Sequence, residues 1–500
     1  MGLLAFNLLV LFLTALVAFY KWSTRNLNYW KIRKIPHIKP APVVGNYWEL
    51  LLGKVNVAEK YREFYHQMKD VKYFGILIGT YPALLIKDPG LIMRILVKDF
   101  RYFYDRGFHV SDSDVLGTNL FFLRNPKWKL LRNKTVSVFS SAKLKSSFDI
   151  LDKCSDDLID YLNENAHKKE WPTRQLMGDA MTDIVCKAIC GLEIHSIKNP
   201  SREHVAMQNM AFASSFRGFA RNTINFFSPY LAKKVHIFPR ILHTYFDDLT
   251  WKTIEMRKEK NIRRSDLLQL LLEVYEQEQM LPAENRVLSR ELFVSNIFIM
   301  ILAGYETSTT TSSLTLHELA HHPDIQDKVR KEIKQVTRES GGKITYDSLK
   351  KMKFLDQVLS ETLRIYPLAN MIFRECMEEY NIPGTDHVIE KGVFVQLPTL
   401  ALHTDPALWK DPETYNPDRF SEENSASIIP GSYSPFGDGP RICIGKRFAL
   451  LQLKLVLSKI LLHYEVSPCE KTRRHNPLTK NSLLSVPEGV FWLNFTKVMQ

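Results

Sequence analysis

The chain is poor in cysteine, with six in 500 residues, at positions 154, 186, 190, 376, 443 and 469. So few thiols cannot build a disulfide scaffold, and no CxxC pair of zinc-site type occurs, so reduced, cytosol-facing cysteines are expected. Cys186 and Cys190 lie one helical turn apart with no His or further Cys at ligand spacing, and read as small core residues. Internal repeats, low-complexity tracts, and helix-turn-helix, zinc-finger or RNA-binding signatures are also missing. That leaves nucleic acid without support as a partner. No strand-linked GxGxxG and no flavin-binding module is visible, so the chain does not carry its own dinucleotide site.

What is present is ordinary globular material: 45% hydrophobic and 24% charged residues, neither disordered nor collagenous nor an array of membrane spans. Length alone leaves both several domains and one large core open. Lys and Arg number 67 against 54 Asp and Glu, a formal charge of +13, which suits an anionic membrane surface or an acidic protein partner.

Gly2 to Tyr20 carries no charge and is dominated by Leu, Ala, Val and Phe, about the length needed to cross a ~30 Å hydrocarbon layer. A cleaved signal peptide is the rival reading. The run is long for that, lacks a basic leading region, and is not followed by a small-residue cleavage pattern. Lys21, Arg25, Lys31, Arg33 and Lys34 come after the span and none precedes it, which places the rest of the chain in the cytosol. Pro36, Pro40 and Pro42 then stiffen a short segment that orients the domain relative to the bilayer. The expected organisation is an anchor at 2–20, a basic, proline-rich hinge at 21–45 and one domain at 46–500.

Tyr73 to Ile78 and Ala83 to Lys87 read as strands around Tyr81-Pro82, and Val388 to Leu397 as another pair around Glu390-Lys391-Gly392. Nearly everything else has helical periodicity, for example Asp266 to Gln277, Pro323 to Arg338 and Phe354 to Tyr366. The class is mostly α with minor β. Leu292 to Ala320 is largely apolar on all sides and would be ~43 Å long as a helix, so it crosses a core. A second membrane span is disfavoured by Asn296, Glu306 and the Thr/Ser run. The charged stretch Arg257 to Arg264 reads as a solvated loop or helix end.

Near the C-terminus stands Phe436-Gly437-Asp438-Gly439-Pro440-Arg441-Ile442-Cys443-Ile444-Gly445-Lys446-Arg447-Phe448-Ala449. Its glycines permit a tight loop that approaches a flat ligand, and Cys443 sits at the mouth of a helix beginning near Gly445. Backbone N–H groups and the positive helix end are expected to lower its thiol pKa, and a bound metal to lower it further.

The spacing FxxGxRxCxG resembles the haem-binding loop of the cytochrome P450 family. Other family motifs are in order: Glu361-Thr362-Leu363-Arg364 as ExxR, Pro417-Asp418-Arg419-Phe420 as P-x-R-F, Trp128 and Arg132 as WxxxR, and Ala303-Gly304-Tyr305-Glu306-Thr307 as AGxET. The resemblance covers nearly the whole chain and is nearest in look to insect microsomal, xenobiotic-metabolising members. Two departures are that the hinge lacks the usual Pro-Gly-Pro, and that Leu368 comes after Pro367 where a second Pro is common.

This resemblance implies the P450 fold and haem b with Cys443 as axial iron ligand, in a loop bounded by Phe436 and Gly445. Glu361, Arg364 and Arg419 would form a buried triad behind the haem. Trp128, Arg132, Arg374 and Arg441, with Arg106 as a weaker fifth, would bind propionates, for which guanidinium forks are suited. Gly304 would thin the long helix for dioxygen, and Glu306 and Thr307 would relay protons. Phe108, Phe121, Phe122, Phe212, Phe216, Phe298, Ala303, Met371 and Leu484 fall in the family's substrate-contact segments, which suggests an apolar substrate. Phe226, Phe227, Tyr230 and Leu231 are candidates for contact with membrane lipid.

The implied activity is monooxygenation at the endoplasmic reticulum membrane. Electrons would come from NADPH through a separate flavoprotein reductase, with cytochrome b5 as a further donor, and Lys127, Lys129, Lys134, Lys446 and Arg447 could meet such an acidic partner. Two other classes stay open at this point: a haem-thiolate isomerase or dehydratase, which needs no proton relay, and a non-catalytic haem carrier. The Glu306-Thr307 pair speaks against the first. The lack of a His or Met aligned opposite Cys443 speaks against the second.

Overall fold

The computed structural model describes residues 2–111, 113–199, 207, 210, 229–264, 266–480, 482 and 484–498. The N-terminal apolar run forms helix α1 (Gly2–Thr24), whose large apolar side chains are exposed along its length. The segment after it is docked rather than free. Helix α2 (Tyr29–Ile32) seats the buried Trp30 against a sheet, its indole N–H donating to the Ile76 carbonyl at 2.8 Å. Ile38 N–H donates to the Gly75 carbonyl, and Gly75 N–H to that of Pro36. A Cβ on Gly75 would come within 2.3 Å of the Trp30 ring, so only glycine admits this packing. The Arg33 guanidinium pairs with Glu390 at 2.5 Å and lies over the Tyr29 ring.

Strands β1 (Tyr73–Ile78), β2 (Tyr81–Ile86), β3 (Glu170–Pro172), β4 (Met371–Glu375), β5 (Tyr380–Asn381), β6 (Val388–Ile389), β7 (Phe394–Pro398), β8 (Tyr464–Pro468) and β9 (Trp492–Lys497) form small sheets. Their orders are β1-β2-β7-β4, β3-β9-β8 and β5-β6. The hairpin expected around Glu390-Lys391-Gly392 is not one: Ile389 pairs with Tyr380, whereas Val395 pairs with Leu84 and Arg374. The turn therefore carries the chain from one sheet to another, a long-range choice that local alternation does not reveal.

The helices that build the site are α3 (Lys127–Thr135), α4 (Thr173–Cys190), α5 (Leu267–Gln279), α6 (Arg290–His321), α7 (Pro323–Glu339), α8 (Lys353–Ile365) and α9 (Lys446–His463). Asp266 caps α5 and Ser289 caps α6, each side chain accepting a first-turn backbone N–H. The periodic segments read from the sequence match α5, α7 and α8 to within two residues. α6 is the central helix, packing along α4 and against α7, α8 and α9. Its buried Thr/Ser run is tolerated because the hydroxyls bond back to carbonyls one turn earlier: Thr311 to Thr307, Ser312 to Ser308, Ser313 to Thr309, Thr315 to Thr311. Such burial against soluble elements makes α6 a core helix rather than a second span.

Two readings need correction. The stretch 257–264 does end a helix, but Arg257 is buried, not solvated: it pairs with Asp266 and donates to the Cys190 carbonyl. Lys134 is engaged by the buried Glu278 at 2.5 Å, so it is less free for a partner than Lys127, Lys129, Lys446 and Arg447, which are exposed.

Candidate active site

Cys443 lies just ahead of α9, with Gly445 at the helix N-cap. Its backbone N–H closes the loop on the Phe436 carbonyl at 2.9 Å. Gly439 has φ +68°, and a Cβ there would stand 1.9 Å from the Leu96 carbonyl oxygen, so no other residue fits. Asp438 accepts the Gly439 N–H. The cysteine side chain is accessible, unlike those of Cys154, Cys186, Cys190 and Cys376. Burial of the sulfur's surroundings nevertheless pushes its thiol up, opposed by the Gly445 N–H, Arg106, Arg132 and Lys446. The Gly445 N–H acts in the direction expected of the helix end, but desolvation outweighs it.

Behind the loop, Glu361 and Arg364 make a two-pronged pair at 2.7 and 2.8 Å, with neither side chain exposed. One Glu361 oxygen also accepts from Arg419 Nε and Asn416 N–H, and Arg364 donates onward to the carbonyls of His403 and Pro412. Sequence reasoning missed His403. Its Nε2 accepts the Ser434 N–H at 3.1 Å, at the start of the cysteine loop, while Nδ1 faces the Arg364 carbonyl at 3.2 Å. This bridge couples the triad to the loop. Burial pushes His403 down to about 3, so the imidazole is neutral and can accept.

Arginines converge on the other side of the loop. Arg132 donates to the Ile442 carbonyl, Arg106 to those of Phe121 and Arg441, and the Arg441 guanidinium stacks 3.8 Å over Trp128. Arg374 is enclosed and donates to the carbonyl of its neighbour Phe373. Desolvation pushes Arg106, Arg374 and Arg441 down, and crowding by Arg106 adds to the effect on the other two. Arg374 Nε and Arg441 Nη1 are buried without a hydrogen-bond partner among the described residues. Buried guanidinium nitrogens without partners call for an acceptor, and an anion suits their charge. Two carboxylates of a flat ligand beside Cys443 meet that requirement, so these residues fit a haem. Asp105 and Arg124, also missed, hold this cluster from behind; each partner is remote in sequence and gives no motif.

Within the buried α6, Ala303 is exposed and Thr307 partly so, opening one face of the helix. The Thr307 hydroxyl donates to the Ala303 carbonyl at 2.6 Å. Glu306 turns elsewhere: its carboxylate is ion-paired with Arg174 of α4 and accepts the Thr310 hydroxyl at 2.9 Å. Gly304 faces α4, where a Cβ would press to 3.3 Å from the Val185 methyls, so its small size serves helix packing.

Phe108, Phe121, Phe122 and Phe373 form one aromatic group with ring centroids 4.9 to 5.9 Å apart. Met371 is buried on β4 and Leu484 is partly buried. Phe298 is fully enclosed by Phe238 and Phe246, which makes it core rather than pocket wall. Phe212, Phe216, Phe226 and Phe227 lie outside the described residues, and of the remaining candidate lipid contacts Leu231 is exposed.

The cytochrome P450 family model matches residues 35–494. The chain belongs to the cytochrome P450 family. It is 35% identical over 502 residues to cytochrome P450 6k1 of Blattella germanica, covering 96% of this chain and 95% of that protein. It is 33% identical to cytochrome P450 6j1 of the same insect, covering 99% of each. Cytochrome P450 6a2 of Drosophila melanogaster is 34% identical, with 91% and 93% covered. The protein is thus a P450 monooxygenase, an oxidoreductase of mostly α fold, and the insect resemblance read from its motifs holds. Membership implies haem held by a cysteine thiolate, a redox partner and an apolar substrate.

Proposed function

We propose that this P450 oxidises apolar small molecules, xenobiotic or endogenous lipid, at the endoplasmic reticulum membrane, using electrons from a separate NADPH-dependent reductase. The observation that carries the reading is the buried arginine cluster, with guanidinium nitrogens that have no partner among the described residues, near the accessible Cys443. Cys443 is the iron ligand, Phe436 and Gly445 bound its loop, and Arg132, Arg374, Arg441, Arg106 and Trp128 hold the propionates. Haem b supplies the activation of dioxygen when bound, and the cysteine sulfur favours O–O cleavage.

The chain's own residues supply positions and protons. Thr307 holds a hydroxyl on the open face of α6, and Glu306 holds the nearby acid in reserve against Arg174. Proton delivery requires Glu306 to exchange that partner, so Arg174 sets how readily the acid is released. Phe108, Phe121, Phe122, Met371 and Leu484 surround the substrate and exclude water. α1 serves as the anchor at 2–20, the docked segment 21–45 fixes the domain's orientation, and residues 46–500 form the catalytic domain. Lys127, Lys129, Lys446 and Arg447 present the positive surface to the reductase or to cytochrome b5.

The test is oxygen uptake by purified holoenzyme with reductase, NADPH and a panel of apolar compounds screened by spin-state shift. Steady, NADPH-dependent uptake with oxygenated product is expected. Turnover without NADPH would point to an isomerase instead, and haem binding without turnover to a carrier.

A further inference from the structure

Asp105 is a buried carboxylate, 2% exposed, at the meeting point of the arginine cluster. Its Oδ1 accepts from Arg441 Nη2 at 3.1 Å and from the Asn125 N–H at 2.9 Å, and its Oδ2 lies 3.3 Å from Arg124 Nε. Its own carbonyl accepts the Glu375 N–H at 2.8 Å in a bridge to β4, next to Arg374. The next residue along the chain is Arg106. One acidic residue therefore touches Arg441, adjoins Arg106 and pins the strand that carries Arg374.

The hydrogen bonds of Arg441 show what this does. Nε donates to the Tyr104 carbonyl at 2.9 Å, and Nη2 to Asp105 and to the Leu123 carbonyl at 3.0 Å. Only Nη1 has no partner among the described residues. The planar guanidinium is thus held along one edge, with Trp128 on its face, and offers its remaining corner in one direction. Arg124 shares the charge of Asp105 and is itself held by Glu375 at 2.6 Å.

We propose that Asp105 is a positioning residue for cofactor binding: it aims Arg441 at a haem carboxylate and supplies a buried negative charge among these arginines. The inference rests on reading the cluster as the propionate site. Partners one layer behind a cofactor's ligands commonly matter about 10- to 100-fold for its retention. Asp105→Asn keeps the shape and removes the charge, so ferric haem transfer to apomyoglobin should be about tenfold faster or more. The reduction potential should move positive, because a negative charge near the iron is gone. Asp105→Glu should restore the potential, which a purely structural role would not require.

Arg441→Ala separates the two readings. If it sheds haem quickly while Asp105→Asn matches wild type in haem loss and potential, the role of Asp105 is overturned and the propionate site stands. If neither variant differs from wild type, both fall. Should Asp105→Asn yield no holoenzyme, Arg124→Gln decides: exposing more of the Asp105 charge should move the potential negative, and an unchanged potential would overturn the proposal.

Discussion

Two of the molecule's glutamate–arginine pairs share one chemistry in opposite settings. Glu361 and Arg364 sit three residues apart on α8 at zero exposure, with both carboxylate oxygens and the guanidinium fully engaged. Glu306 and Arg174 meet across two helices, their side chains 9% and 28% exposed, and Arg174 Nε has no partner among the described residues. Burial with complete hydrogen bonding makes a pair that cannot open without leaving a charge stranded. Partial exposure lets water replace a lost partner, so the second pair can separate during a reaction cycle. The same two residue types thus form a fixed brace behind the cysteine loop and a more exposed pair between α4 and α6, the one the proposed function uses as an acid.

The largest break in this contrast should come from Arg364→Ala, which strands Glu361. A loss of about 3 to 5 kcal/mol is expected, seen as a lowered denaturant midpoint and little haem in the purified protein. The brace also has a pH signature through His403. Its folded pKa is about 3 against an ordinary 6.5. The unfolded chain therefore binds an extra proton between these values, and stability falls as pH drops through that window. At pH 5 the cost is about 2 kcal/mol, and His403→Gln should flatten this part of the stability profile, as measured by urea titrations at pH 7 and 5.

Arg174→Gln should cost under about 1 kcal/mol, because that pair is partly solvated. It should instead change the fraction of NADPH that ends in product. A stability loss as large as that of Arg364→Ala would erase the distinction between the pairs. Thr307→Ala should affect folding least, by a few tenths of a kcal/mol up to about 1, since it removes one side-chain hydrogen bond. Its peroxide release should rise while NADPH consumption continues; unchanged coupling would remove Thr307 from the proton path.

The sequence exposed those features whose partners are close along the chain. The ExxR pair, the periodic segments that became α5, α7 and α8, and the central apolar helix depend on spacings of a few residues, and these form as read. Asp105, Arg174 and His403 were not legible because their partners lie 336, 132 and 31 residues away, and nothing local marks them. The packing role of Gly304 was not legible because the Val185 it meets belongs to another helix. The Phe298 ring was assigned to the pocket on position alone, whereas its neighbours Phe238 and Phe246 come from a different part of the chain. The sulfur's net acidity was not legible for a related reason: the loop's own N–H groups are visible in sequence, but the burial that opposes them is a property of the whole fold.

In the proposed function Cys443 provides the iron's thiolate. The direct measurement is the absorption spectrum of the ferrous carbon monoxide complex of wild type and of Cys443→Ser. Wild type should show the strongly red-shifted Soret band of a thiolate-ligated haem, and the variant should lose it. Persistence of that band in Cys443→Ser would contradict the account.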